Sequence, residues 1–317
     1  MKEKITIIVP LYNAEAYVSQ CIKGLFKQTY NCFKVILIND GSTDNTENLC
    51  KKYTLFDERF CYVKQENGGT GKARNIGIKK TETPYILFLD CDDKLPINAI
   101  ETYMSVLGEA DLIVGGIRKM EGSHTKEFIP QLKKIEGKKK IAQSLIEEMY
   151  FINPVCSKLY KTDIIKKNNI CFNDFKYGED TDFIYTYLKH ANTILFMNKI
   201  VYCVNVVEGS RSLRPIPEIW IYMKKLYEKG KEFDPNNNKF CYMLFLRSVK
   251  TSLFIKIRES KKAFYDICGT IGEYIERENI NILYEGGIYD KLIIICLMKK
   301  YWFILYEILK MRIIIGI

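Results

Sequence analysis

Three carboxylates, Asp90, Asp92 and Asp93, close the apolar run Tyr85-Ile86-Leu87-Phe88-Leu89. Like charges packed this closely repel unless a cation or water relieves them. Oxygen ligands of this kind suit Mg²⁺ or Mn²⁺, which one or two carboxylates hold together with substrate phosphates. The plainer alternative is a solvated acidic turn. A second acidic segment, Glu179-Asp180-Thr181-Asp182, stands just before a helical stretch, Phe183–Leu188. Acidic residues there stabilise a helix N-terminus through its dipole. A carboxylate in a cleft also serves as a general base.

Three further polar turns close predicted strands. Pro10-Leu11-Tyr12-Asn13 follows the first and reads as a Pro-containing turn. Asn39-Asp40-Gly41-Ser42-Thr43-Asp44 follows the second, with Ser42 or Thr43 available as a helix N-cap. A carboxylate fixed at a strand end can also accept a hydrogen bond from a nucleobase N–H, so Asp40 is a candidate base ligand. The third turn, Glu66 to Gly77, carries Gly68, Gly69, Gly71 and Arg74 into a helix. Glycines let backbone N–H groups approach a phosphate at a helix N-terminus, and an arginine adds a fork of donors. This turn is not a Walker loop, because Glu66 and Ala73 stand where Gly and Ser or Thr are needed. It is not a dinucleotide fingerprint, because Arg74 replaces the third glycine. Neither histidine, His124 or His190, sits in a recognisable triad order with Ser or Cys.

The elements that must position these turns alternate along the first hundred residues. Strands are predicted at Ile5–Val9, Phe33–Asn39, Arg59–Lys64 and Tyr85–Leu89, and helices at Ala14–Gln28, Asp44–Tyr53 and Thr70–Lys80. Such repetition argues for a largely parallel sheet covered by helices, with ligands bound at the carboxyl ends of the strands. Asn98–Leu107 is a predicted helix and Ala110–Arg118 a strand, while polar Gly122–Lys140 reads as a mobile loop. Mixed signals continue to about Ser212, and after Pro215 and Pro217 the spacing is helical to the end.

The chain has 317 residues, 47% of them hydrophobic and 27% charged, which fits a folded protein. Its net charge of +10 points to an anionic partner: a phosphorylated substrate, a membrane surface or nucleic acid. The eleven cysteines are scattered without zinc-like spacing and read as reduced thiols. The N-terminal apolar run is too short for a signal peptide, and no run approaches the ~20 residues of a spanning helix. A cytoplasmic enzyme is therefore expected.

Taken together, the turns resemble the family 2 glycosyltransferases of bacterial surface-polysaccharide synthesis. The resemblance runs in order through Val9–Asn13, Asn39–Thr46, Asn67–Gly77 and Leu89–Asp93, the last similar to the D-x-D metal motif. It continues more weakly through Asn153–Tyr160, Gly178–Asp180 and Tyr202–Ser212, with Asn205 where many relatives carry a basic residue. It implies a GT-A fold: a Rossmann-like nucleotide-sugar-binding domain with a mostly parallel sheet, plus a helical C-terminal region. It further implies a UDP-sugar donor, Mg²⁺ or Mn²⁺, inversion at the sugar carbon, and no nucleic acid. Residues 1–118 would form the nucleotide-sugar half, 119–215 the acceptor half, and 216–317 the helical region.

By position, Asp40 would bind the base, Pro10, Tyr12 and Asn13 would line the base and ribose pocket, and Asp90 would contact ribose or metal, with Leu11, Glu15, Gly71, Arg74 and Cys91 also binding the nucleotide sugar. Asp92 and Asp90 would hold the metal. Asp180 would be the base, oriented by Glu179, and Lys158, Tyr202 and Arg211 would face the acceptor. A nucleotidyl- or phosphotransferase, or a degenerate sugar-binding protein, are the competing readings.

The stretch from Asp290 to Ile317 is apolar except for a charged stripe at Lys299, Lys300, Glu307 and Lys310. Read as one amphipathic helix, it would lie in a membrane interface, with Tyr301 and Trp302 at headgroup level. There an enzyme on the inner face of the cell membrane would meet a lipid-linked acceptor. Packing against the catalytic domain or a second copy in a homo-oligomer is the alternative.

Overall fold

The computed structural model describes residues 4–174, 178–206, 219–233, 239–278 and 288–315. The chain divides into two compact units, Met1–Glu208 and Gly209–Ile317. The expected boundary at 215/216 lies outside the described residues.

The first unit begins with β1 (Ile5–Leu11), α1 (Glu15–Phe26), β2 (Lys34–Asp40), α2 (Thr46–Thr54), β3 (Phe60–Gln65), α3 (Thr70–Lys80), β4 (Tyr85–Phe88) and α4 (Ala99–Met104). It continues with β5 (Leu112–Glu121), β6 (His124–Phe128), β7 (Lys133–Glu136), α5 (Lys138–Glu147), α6 (Met149–Ile152), β8 (Lys158–Lys161), α7 (Thr162–Lys167), α8 (Glu179–His190) and β9 (Thr193–Asn205). The sheet order is β3-β2-β1-β4-β8-β5-β9-β7, with β6 paired to β5.

The apolar runs explain the centre of this sheet. Ile5, Ile7, Ile8 and Val9 are all fully buried, as a strand covered on both faces demands. β3-β2-β1-β4 pair in parallel throughout. The parallel core expected at the centre of the sheet is joined beyond β4 by antiparallel strands. There β8 lies antiparallel to both β4 and β5, so the sheet as a whole is mixed. A short antiparallel strand needs no crossover helix, because the chain enters it from the carboxyl edge of its neighbours. β5 and β9 then run parallel to one another, and their carboxyl ends share the edge on which β4 ends.

The expected mobile loop at Gly122–Lys140 is instead β6, β7 and the start of α5. Nearly every residue of β6 is exposed, so no hydrophobic alternation marks it.

The helix α3 lies close on β1 at Gly77. A Cβ there would fall 2.4 Å from Ile8 Cγ2, so only glycine fits without a shift. This contact sets the height of the α3 N-terminus, and of Arg74, over the strand ends.

The second unit is helical: α9 (Ile219–Phe233), α10 (Lys239–Glu259), α11 (Lys261–Arg277), α12 (Ile288–Met298) and α13 (Trp302–Ile315). Ser260 caps α11 by accepting the Ala263 N–H at 3.0 Å, a typical Ser N-cap. The single helix expected after Asp290 is broken. Lys300 has φ 57°, and the Tyr301 N–H closes onto the Cys296 carbonyl at 2.8 Å, which ends α12. Lys299 and Lys300 therefore occupy a turn and not a helix face. Ile293, Ile294, Leu297, Leu305 and Leu309 are buried within the unit.

Replacing Gly77 with Ala is expected to destabilise the protein by about 1–3 kcal/mol through overpacking against Ile8. In a urea-denaturation double-mutant cycle, Gly77→Ala and Ile8→Ala together should cost about 1 kcal/mol less than their sum. Additive costs would show that Ile8 is not what excludes a side chain at 77.

Candidate functional site

The loops after β1 and β2 are laced together by side-chain hydrogen bonds. The Asn13 N–H donates to Ser42 Oγ at 3.0 Å, and Asn13 Oδ1 accepts the Thr43 N–H at 2.9 Å. Asn13 adopts φ 45°, a left-handed conformation that Asn tolerates. The Ala14 N–H donates to Thr46 Oγ1 at 2.8 Å, and Glu15 Oε2 accepts the Asn45 N–H at 3.1 Å. Asp44 Oδ1 accepts the Thr46 N–H at 3.0 Å at the start of α2, whose N-cap is Asn45 and not the expected Ser42 or Thr43. Pro10 and Leu11 end β1 largely buried, while the Tyr12 ring is left 55% exposed beside them.

Asp40 fastens the third loop. Its two oxygens accept the Gly68 and Gly69 N–H groups at 2.8 Å each, and Gln65 Nε2 also donates to it. Gly69, at φ 90°, makes this approach feasible. The loop then enters α3 and delivers Arg74.

The Arg74 side chain is only 4% exposed. Nη2 donates to Asp90 Oδ1 at 2.7 Å and Nη1 to Asp180 Oδ1 at 2.6 Å. Its guanidinium lies 5.2 Å from the centroid of the Phe172 ring. Burial alone would weaken the cation, but Asp180 and Asp90 outweigh that and hold Arg74 firmly protonated. The phosphate-facing arginine expected from the sequence is thus turned onto two carboxylates, one after β4 and one in the first turn of α8. Asp90 and Asp180 keep 36% and 33% of their side-chain surface open to solvent.

Phe172 had no motif to announce it, yet it floors this clamp. It stacks on Phe183 of α8 with centroids 4.1 Å apart, and Phe88 meets both rings edge-on. Asn75 of α3 pins its backbone in both directions at 2.8 Å. Gly71 belongs to the same contact: a Cβ there would sit 3.2 Å from Phe172 Cβ. Asp182 is buried and accepts from Asn173 Nδ2 at 2.6 Å, so it anchors the loop to α8. Glu179 lies beside Asp180 on the same first turn.

The other acids divide by surroundings. Asp92 is half-buried, and burial together with the charge of Asp90 pushes its carboxyl up. Asp93 is buried and pushed up to about 7, by burial first and Asp90 second. Asp93 accepts from the Tyr202 hydroxyl and the Asn205 N–H, each at 2.8 Å. The Tyr202 hydroxyl also accepts the Asp90 N–H at 3.1 Å.

Three expected ligands therefore stand behind the site and not on it. Tyr202 is fully buried and braces the turn of Asp90 and Asp93. Lys158 is fully buried, its ammonium donating to the Pro154 and Cys156 carbonyls, and burial pulls it down to about 8. The Cys91 thiol turns into the core against Cys21, which leaves only its backbone at the surface of the turn. Arg211 lies outside the described residues.

Replacing Arg74 with Met should cost about 2–4 kcal/mol in urea denaturation, because two partly buried carboxylates lose their shared cation. Adding Asp180→Asn should recover part of that loss. An Arg74→Met protein as stable as the original would mean that the clamp contributes nothing to the fold.

Residues 6–168, just over half of the chain, match the family described as Glycosyl transferase family 2. Glycosyltransferase GlyA of Streptococcus pneumoniae is 30% identical over 231 residues, 69% of this chain and 33% of that protein. This chain thus spans about a third of GlyA. Glycosyltransferase GlyG of the same organism is 26% identical over 305 residues, covering 89% of this chain and 99% of GlyG. Residues 1–349 of S. aureus TarS, solved in complex with UDP-GlcNAc, superpose with a TM-score of 0.72 at 21% identity, over 99% of this chain and 92% of that one. The likeness to TarS shows a GT-A fold, and the family match together with the laced strand-end loops shows that the chain belongs to glycosyl transferase family 2.

Proposed function

We propose that this chain is an inverting glycosyltransferase. It moves a sugar from a nucleotide-diphosphate sugar, a UDP-sugar foremost, to a hydroxyl of a glycan or lipid-linked glycan in surface-polysaccharide synthesis. The observation that carries this reading is the placement of Asp90 and Asp180 on one buried guanidinium, with Asp90 on the donor-side strand edge and Asp180 on a separate helix. The binding of UDP-GlcNAc by TarS supports a uridine donor.

Tyr12 offers an exposed ring face for a base, and Asp40, buried beneath the glycine turn with Oδ2 accepting the Gly69 N–H, would meet a base N–H only through its second Oδ2 lone pair. Asn13 and Glu15 hold the loop that frames the ribose. Asp92 and Asp90 fit a hard divalent cation. Asp92 is half-buried with no ion-pair partner among the described residues, and two carboxylates plus diphosphate oxygens and waters would complete the shell that Mg²⁺ or Mn²⁺ prefers. Held there, the ion would supply positive charge to the departing diphosphate.

Asp180 gives one oxygen to Arg74 and keeps the other for the acceptor hydroxyl. Asp180 takes the proton as the acceptor's hydroxyl oxygen bonds to the anomeric carbon and the bond to the diphosphate breaks, with the electron pair leaving on the nucleotide. Arg74 fixes the base relative to Asp90, so attack and departure share one frame.

Asp180→Asn is expected to retain donor binding by calorimetry and lose roughly 10²–10⁴-fold in transfer rate. Asp92→Asn should lose the metal-dependent part of donor binding. Normal turnover by Asp180→Asn would remove the base assignment.

We place the enzyme on the cytoplasmic face of the membrane through α12 and α13. No helix among the described residues is long and apolar enough to span a membrane. Tyr301, Phe303, Ile304 and Met311 are exposed, and so are Lys299, Lys300 and Lys310. Exposed aromatics among lysines suit an anionic lipid surface better than water. Phe303→Ser with Ile304→Ser should reduce co-sedimentation with anionic liposomes severalfold. Equal co-sedimentation would leave these helices to protein contacts.

A further inference from the structure

β5 and β6 form a hairpin whose chemistry the site described above leaves unused. Its cross-strand partners are Ile117 with Phe128, Arg118 with Glu127, Lys119 with Lys126, Met120 with Thr125 and Glu121 with His124. Arg118 and Glu127 make an ordinary ion pair at 2.8 Å. Lys119 and Lys126 stand directly opposite one another, an arrangement that destabilises a sheet. Neither forms an ion pair with any described residue. Both ammonium groups instead lie over one ring: Lys119 Nζ is 5.7 Å and Lys126 Nζ 5.2 Å from the centroid of Phe128. Tyr150 of α6 stacks on Phe128 at 4.2 Å, with Lys119 Nζ 5.4 Å from its centroid. Tyr150 is 38% exposed, and Ile129 next to Phe128 is exposed as well. Edge protection accounts for a lysine on the outer strand β6. It does not account for a second lysine facing the first across an aromatic stack.

The hairpin stands beside the acidic turn of the candidate site. β5 runs parallel to β9, with Arg118 paired to Cys203 and Met120 to Asn205. Asn205 itself, and Tyr202 next to Cys203, bond Asp93 in the turn of the metal-motif acids. The hairpin thus extends from the same sheet edge as Asp90 and Asp92. β6 takes over the side of β5 that β8 occupies lower down, where Val114 pairs with Lys158. Tyr150 precedes the turn Asn153–Ser157 that leads into β8. In that turn Ser157 adopts φ 57°, and the buried Asn153 Oδ1 and Ser157 Oγ have no hydrogen-bond partner among the described residues.

We propose that Lys119, Lys126, Phe128 and Tyr150 form an acceptor subsite for a glycan chain that carries phosphate or other anionic groups. The apolar face of a sugar ring lies against the exposed edge of the Tyr150–Phe128 stack. The anionic group sits between the two ammonium groups and relieves the repulsion the free protein tolerates. Charge complementarity selects this occupant: a neutral glycan would satisfy the rings and leave the lysine pair uncompensated. The inference rests on the transferase reading, because it names that reaction's acceptor.

The test uses the full chain and two fluorescent dextran oligosaccharides of equal length, one phosphorylated and one not, followed by anisotropy, with UDP-sugar binding measured in parallel. The phosphorylated probe should bind and the neutral one should not. Lys119→Gln with Lys126→Gln should weaken phosphodextran binding roughly tenfold or more, leave UDP-sugar binding unchanged, and raise or preserve the melting temperature. Tyr150→Ala should weaken the probe while Lys23→Gln, on α1, leaves it unaltered. Equal binding of both dextrans, or equal binding by the original and the double-lysine variant, would overturn the subsite. Loss of UDP-sugar binding in the unaltered protein would instead count against the transferase reading itself.

Discussion

A single buried guanidinium ties the two halves of the candidate site together. Arg74 takes one carboxylate from the turn after β4 and another from the first turn of α8, with Phe172 beneath it. Removing an arginine head from water is costly, and two charge-assisted hydrogen bonds with a stacked ring offset that cost. The surrounding architecture serves this arrangement. Gly77 brings α3 down onto β1, Asp40 ties the glycine turn that starts α3, and Asn75 holds Phe172 from both sides.

Sheet order explains why the chemistry collects on one edge. β1 lies between β2 and β4, all three parallel, so the loops that leave β1 and β2 stand side by side and bond to one another, and the acidic turn after β4 opens on the same edge. β8 reverses direction and lets the chain of Asn153–Ser157 arrive beside the same edge, and β9 returns to it with Tyr202 and Asn205. Tyr202 then couples the last strand to the acidic turn through Asp93. The acids are kept unlike by these surroundings: Asp90 pairs with a cation, Asp93 is enclosed and hydrogen-bonded, and Asp92 is left half-buried beside a negative neighbour.

The strand–helix order of the first hundred residues is legible because strands buried on both faces leave continuous β-branched runs. The acids at the end of such a run stand out against it. Arg74 was visible as a site residue, but its partners were not, since Asp180 is over a hundred residues away and Phe172 lies in no motif. Lys158 and Tyr202 misled for a physical reason: whether a polar side chain faces a cleft or the core depends on carbonyls and carboxylates brought near by folding. Cys91 falls between two acids in the chain yet points the other way. β5 is legible as the strand expected at Ala110–Arg118, but its partner β6 is not, because a strand exposed on both faces carries no alternation. The break at Lys300 was invisible because apolar spacing continues across it.

The account turns on the bond that the site is built to break. Incubating the protein with a panel of UDP-, GDP- and dTDP-sugars and Mn²⁺, then analysing the released nucleotide, measures this directly. The account predicts release of a nucleoside diphosphate, UDP foremost, with transfer of the sugar in inverted configuration. Release of pyrophosphate, with the nucleotide joined to the product, would contradict it.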